Sequence, residues 1–296
     1  MVRAAKLPKR IGIGIGLLLL ILLLGIGIAW WSMQPNNVAA AAPVAPSGTV
    51  ETSMLTIDSG PVAGIRDGDV LAFKGIPYAA PPVGPLRWRP PQPVKSWTKP
   101  LNATQFSDDC LQNKANWDPA RSRQSMSEDC LGINVWAPTD VPPQGAPVLF
   151  WIHGGGFVQG SSSQPALDGT AFAREGVVLV SFNYRLGRFG FFAHPSLRDE
   201  SGSDATGNWG MMDQLAALKW VRANIAKFGG NPDRVTLFGQ SAGGASVAQL
   251  MLDPGVRGLF AGAIIQSSGG RNRWVAYDDP REGKPSGLKA GITFAK

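Results

Sequence analysis

Val235-Thr-Leu-Phe-Gly239-Gln240-Ser241-Ala242-Gly243-Gly244 decides the fold. Val235–Phe238 is a continuous apolar run of strand length. Gly239 to Gly243 spells G-x-S-x-G, and from Ala242 to Leu252 small and apolar residues continue as a short helical pattern. A strand, this pentapeptide and a helix in that order make a nucleophile elbow, a sharp turn that lifts the Ser hydroxyl above the end of a sheet. The helix start beneath it adds a partial positive charge. With 37 Gly in the chain the bare pattern carries little weight, and the flanking strand and helix supply most of it. A Gly-rich turn with an incidental Ser is the alternative.

A second glycine-rich stretch lies upstream. His153-Gly154-Gly155-Gly156-Phe157 directly follows the apolar run Val148–Ile152. Acyl transfer builds negative charge on a carbonyl oxygen, and fixed backbone N–H donors stabilise that charge by about 3–4 kcal/mol each. A loop of this kind works together with the N–H after the nucleophile, which nominates Gly155, Gly156 and Ala242. The alternatives are an ordinary strand-to-helix loop or a phosphate loop. Neither G-K-[ST] nor G-x-G-x-x-G follows in the right setting, which argues against nucleotide binding.

Further apolar runs extend the pattern in both directions. Met54–Ile57, Val70–Phe73 and Ile133–Trp136 read as early strands. Val148–Ile152, Val177–Phe182, Val235–Phe238 and Ala261–Ile265 read as buried ones. From Met211 to Phe228, apolar residues recur three or four apart (Leu215, Leu218, Val221, Ile225, Phe228), which predicts a helix. Strands alternating with helices predict an α/β fold with a mostly parallel central sheet, and the early strands predict an antiparallel N-terminal edge. There is no internal repeat.

The chain has 296 residues, 44% apolar and 17% charged, which excludes a disordered protein. Two His and two Cys offer no zinc cluster. The net charge of +7 is concentrated at the start: Arg3, Lys6, Lys9 and Arg10 precede Ile11–Trp31, which carries no charge. Without those four the excess is about +3, too mild to argue a nucleic-acid partner. As a helix, residues 11–31 would span roughly 31 Å, about one hydrocarbon core. The basic flank keeps the N-terminus cytoplasmic and places the downstream residues outside. An uncleaved anchor and a cleaved signal peptide both fit, and a buried core helix fits less well because the run is apolar on every face. Residues 1–31 are therefore expected as a signal-anchor or signal peptide, 32–50 as an Ala/Pro-rich linker, and 51–296 as the folded domain, membrane-anchored or secreted. In that exported setting Cys110 and Cys130 are expected to form a disulfide, restricting the unfolded chain by roughly 3 kcal/mol. Two free buried thiols are the alternative.

Several segments, in order, resemble the type B carboxylesterases, the family that includes the cholinesterases. They are Gly75-Ile-Pro-Tyr-Ala-Ala-Pro-Pro-Val-Gly-Pro-Leu-Arg-Trp88, Ser127-Glu-Asp-Cys-Leu131, Asn183-Tyr-Arg-Leu-Gly-Arg-Phe-Gly190, Gly207-Asn-Trp-Gly210, and Phe228 through Gly244. The resemblance implies the α/β-hydrolase fold, hydrolysis of a small-molecule carboxylic ester through an acyl-enzyme on Ser241, no cofactor and no metal. It also implies a Cys110–Cys130 pairing.

Two departures bear on substrate. Gly132 stands where many members carry an aromatic residue, and Gln240 stands where cholinesterases carry a Glu that holds the cationic choline head. Trp117-Asp-Pro119 lies only loosely where a choline-stacking Trp would be. Neutral esters are therefore expected rather than choline esters.

A Ser nucleophile needs a His base and a carboxylate to orient it, and in this fold both follow the Ser. Here the two His, His153 and His194, precede Ser241, and 55 residues follow it. Asp278, Asp279 and Glu282 among them lie in a charged, polar stretch and are expected as solvated surface. The resemblance thus implies an N-terminal part of an esterase, nearly inactive by itself. The competing expectations are a non-catalytic, esterase-like binding or adhesion module and a truncated product without function.

Overall fold

The computed structural model describes residues 24–25, 50–113, 124–201, 207–268, 277–280 and 283–296. The charge-free run 11–31 (except Leu24 and Gly25), residues 32–49 of the linker, Trp117–Pro119 and Glu282 lie outside the described residues. Among the described residues no helix is long and apolar enough to cross a membrane, and no group of His, Cys, Asp and Glu could hold a metal.

Eleven strands are described: β1 Val50–Ile57, β2 Gly60–Asp67, β3 Val70–Pro77, β4 Leu101–Asn102, β5 Asp109–Cys110, β6 Met126–Ser127, β7 Gly132–Pro138, β8 Ala146–Ile152, β9 Val178–Phe182, β10 Gly230–Gln240 and β11 Gly262–Gln266. The α-helices are α1 Thr170–Arg174, α2 Gly187–Phe191, α3 Pro195–Ser201, α4 Trp209–Asn224, α5 Ala242–Leu250 and α6 Gly287–Phe294. The main sheet runs β1-β2-β3-β7-β9-β8-β10-β11, with β4 paired to β2. Pairing is antiparallel from β1 through β9 and parallel from β9 through β11. The expected antiparallel edge and parallel centre are both present.

Each expected strand is there: β1, β3, β7, β8 and β10 are extended, β9 is one residue shorter than expected, and β11 is shifted by one residue. The pattern did not mark the two-residue strands β4, β5 and β6 or the longer β2. The case of β2 is instructive. Its sequence, Gly-Pro-Val-Ala-Gly-Ile-Arg-Asp, interrupts any alternation with two Gly and a Pro. The reason lies in packing: a Cβ at Gly64 would run into the Phe73 ring of the neighbouring strand. The expected helix over 211–228 begins at Trp209, ends at Asn224 and passes into a 3-10 turn, Ile225–Phe228.

The core lies between the sheet and α4. Phe150 of β8 stacks on Phe182 of β9 at 4.7 Å, and Phe73 of β3 meets Phe228 edge-on at 5.1 Å. α4 also carries a buried charge. Asp213 is fully buried and accepts from Arg185 Nε at 2.8 Å, from its other guanidinium nitrogen at 2.7 Å and from its backbone N–H at 3.1 Å. This pair ties α4 to the chain leaving β9, which leads directly into α2.

Candidate active site

The elbow is a close-packed junction. Ser241 lies between β10 and α5 with φ 55° and ψ −119°, a conformation that costs a non-Gly residue and persists only where the surroundings hold it. Those surroundings are visible. The Ser241 N–H donates to Gln266 O of β11 at 2.9 Å, and Ser241 O accepts from Ala245 N–H at 2.9 Å. A Cβ at Gly239 would stand 2.5 Å from the Gly243 carbonyl, and one at Gly243 would collide with Ile152 O. The two glycines of the motif are therefore required because strand, turn and helix approach closer than a side chain allows. The Ser241 side chain makes no capping hydrogen bond to α5, so its hydroxyl is left for other chemistry.

The second glycine-rich loop lies beside it. A Cβ at Gly154 would be 3.4 Å from Ser241 Cβ and 2.8 Å from Gln240 O. Gly155, Gly156 and Phe157 all have positive φ (100°, 62° and 62°), so the chain reverses within three residues. Gly155 O then accepts from Val158 and Gln159 N–H, both at 3.1 Å, and Phe157 O accepts from Gly187 N–H at the start of α2 at 2.7 Å. Among the described residues no acceptor is found for the backbone N–H of Gly155, Gly156 or Ala242. The structure thus sets the loop of Gly155 and Gly156 beside the turn of Ser241 and Ala242, with Gly154 as the point of contact. Unpartnered donors beside a free hydroxyl at a helix N-terminus can hold an oxyanion.

Neither His hydrogen-bonds Ser241. His153 is buried, stacks on Tyr184 at 4.2 Å and bonds Gly154 O through Nδ1 at 2.9 Å, and its Nε2 has no partner. Burial pushes its pKa down to about 4, against smaller upward pulls from the Gly154 carbonyl and Asp109. Tyr184 donates its hydroxyl to His153 O at 2.9 Å, and burial raises that hydroxyl's pKa. His194 lies between α2 and α3, where its Nδ1 accepts from Ser196 N–H at 3.3 Å. Asp278 and Asp279 are exposed, as expected.

Cys110 and Cys130 are joined in a disulfide with Cα atoms 5.0 Å apart. Both are buried. From this segment Asp109 accepts hydrogen bonds from the hydroxyls of Ser161 (2.5 Å) and Ser163 (3.1 Å). Next to these serines, Asn134 and Asn183 bond Ser162, so residues 161–163 are held on every side by buried polar groups.

The profile of the carboxylesterase family matches residues 50–286, most of the chain. The chain belongs to that family. The chain is 46% identical over 242 residues to fumonisin B1 esterase of Sphingopyxis macrogoltabida, covering 82% of this chain and 44% of the relative. It is 44% identical to the cholinesterase of Mus musculus, with 82% and 41% covered, and 46% identical to para-nitrobenzyl esterase of Bacillus subtilis, with 74% and 44% covered. A solved PNB esterase superposes with a TM-score of 0.72 at 42% identity, covering 82% of this chain and 48% of that one. The chain therefore spans less than half the length of these relatives, and it shares their α/β-hydrolase fold.

In the sequence, Asn183-Tyr-Arg185 stands out only as part of a family-like segment. The structure gives each a place: Asn183 on Ser162, Tyr184 on His153, Arg185 on Asp213. The apolar setting of these polar residues was the available signal, since a buried polar side chain must find a partner.

Proposed function

We propose that Ser241 is the nucleophile of a carboxylic ester hydrolase. The Ser241 oxygen attacks the ester carbonyl carbon as its proton passes to a base. The tetrahedral oxyanion rests on the N–H groups of Gly155, Gly156 and Ala242, the alcohol leaves with a proton, and water then releases the acid. The observation that carries this reading is the strained Ser241 at a strand–helix junction, beside a glycine-rich loop, with no acceptor found among the described residues for the N–H groups of Gly155, Gly156 and Ala242. The exposed Gln240 beside it puts no charge there for a cation, which supports neutral over choline esters.

The base and its orienting carboxylate come, in this proposal, from polypeptide other than residues 1–296, because neither the buried His153, stacked on Tyr184, nor His194, between α2 and α3, hydrogen-bonds Ser241. Residues 1–296 by themselves are then nearly inactive, since removing the base of a Ser triad costs on the order of 10⁶ in turnover. The charge-free run 11–31 supports export and a membrane contact if it is uncleaved.

The test is turnover of an activated ester by residues 1–296, alone and with the C-terminal half of a close relative co-expressed. Expected are background rates alone and a gain on complementation that Ser241→Ala abolishes. Turnover of about 1–10³ per second by the chain alone, or complemented turnover that survives Ser241→Ala, overturns the reading.

A further inference from the structure

We propose that Gln112 is a positioning residue for the Gly154–Gly160 loop, through which the disulfide-closed segment holds the anion donors in place. The proposal deepens the hydrolase reading and rests on it, because it is that reading which makes Gly155 and Gly156 donors. Gln112 presents its side-chain amide to one residue of the loop as a neighbouring strand would. Its Oε1 accepts from Gly160 N–H at 2.8 Å, and its Nε2 donates to Gly160 O at 2.8 Å. The same Nε2 lies 3.0 Å from Cys110 O, so the side chain is itself oriented by the backbone of the disulfide. Three residues before Gln112, Asp109 takes the hydroxyls of Ser161 and Ser163. A short stretch fixed by Cys110–Cys130 thus grips three of the four residues Gly160–Ser163, namely Gly160, Ser161 and Ser163.

The grip reaches the donors because the loop is closed on itself. Gly160 has φ 124°, and a Cβ there would stand 2.6 Å from Gly154 O and collide with the His153 ring. The loop's end therefore presses on its beginning. Inside it, Gly155 O is bonded by Val158 and Gln159 N–H, and a Cβ at Gly155 would collide with Gln159 O. Moving Gly160 moves Gln159, and Gln159 is packed on Gly155. A Glu at position 112 could still accept from Gly160 N–H, but its second oxygen would face Gly160 O with no proton to offer. A donor and an acceptor side by side are what the site requires.

The readout is residue-resolved amide hydrogen exchange on the full chain, at Val158, Gln159 and Gly187. None of these amides touches Gln112. Their acceptors are Gly155 O and Phe157 O, within the loop that carries the donors. Gln112→Ala is expected to speed exchange at all three by about tenfold or more, the effect of losing two neutral hydrogen bonds. Gln112→Glu, which keeps the side-chain length and one acceptor, is expected to do the same. Ala245 N–H, bonded to Ser241 O, stays unchanged in both. Acceleration confined to Gly160, or none, in either folded variant overturns the proposal. Exchange needs no chemistry at Ser241, so this outcome is separate from that of the ester turnover test.

Discussion

β8 and β11 both flank β10, and they meet different surroundings. β8 alternates buried and half-buried residues along its whole length, and beyond it β9 is buried throughout. β11 is as apolar in sequence, Gly-Ala-Ile-Ile-Gln, yet Ile264 is 46% and Ile265 43% exposed, and among the described residues no strand pairs with its outer edge. The chemistry divides along the same line. The β8 side carries the Gly154–Gly160 loop, the disulfide and two buried polar networks. The β11 side holds the elbow by one backbone bond, Ser241 N–H to Gln266 O, and brings no base among the described residues. The β8 flank is covered within the described residues, and the outer edge of β11 is open among them.

The covered side breaks most severely at its buried ion pair. Asp213→Ala would leave the Arg185 guanidinium, 3% exposed, without its carboxylate. A loss of about 3–5 kcal/mol in chemical denaturation is expected. The double change Arg185→Met with Asp213→Leu removes both charges and is expected to recover most of it, because much of the single-variant loss is the unpaired charge. A single-variant loss below about 1 kcal/mol would show that this side is less tightly held than its burial indicates.

His153 sharpens the comparison through pH. Its folded pKa, pushed down to about 4 by burial, lies below the ordinary value of 6.5. The folded state thus favours the neutral ring, and the unfolded chain takes up the proton first as pH falls. The full stability is present above about pH 7, declines as pH drops from 6.5 towards 4, and loses nothing more to this group below that. The size is a few kcal/mol at most. His153→Gln, measured beside the parent by denaturation from pH 7.5 to 4, is expected to remove that part of the decline. Parallel curves for the two proteins would mean that the ring titrates freely and is not enclosed as described.

Legibility in the sequence divides in the same way. The elbow, the Gly-rich loop and the strands around them were legible because each signal is local: an apolar run, a required glycine, a helix start. The disulfide was legible from the setting and from the resemblance. β2 was not, since Gly64 answers to Phe73, a residue on another strand. The Gln112–Gly160 pair was not either, because the partners lie 48 positions apart and neither type is unusual. The open side of β11 was legible in part, since a strand apolar on both faces expects helices and a further strand to cover it. An apolar pattern reports what a strand can bury, and does not report whether anything within the same residues covers it.

The smallest expected effect lies on that strand. Truncating a buried aromatic such as Phe150, which stacks on Phe182, costs about 3–5 kcal/mol. Ile264 and Ile265 are no less apolar, but they are only partly removed from water, so much of the transfer energy is still unrealised. Replacing both by Thr keeps the β-branched shape and the pairing to Phe238 and Gly239 on β10. The change in stability of residues 1–296 is expected to stay within about 0.5 kcal/mol per site. The larger response is in association, because an apolar strand with an open edge is a template for pairing with another chain. Light scattering during concentration should therefore fall in the Ile264→Thr/Ile265→Thr variant while its denaturation midpoint barely moves. A midpoint shift comparable to that of Phe150→Ala would mean that β11 is already covered, and the contrast between the two flanks would be lost.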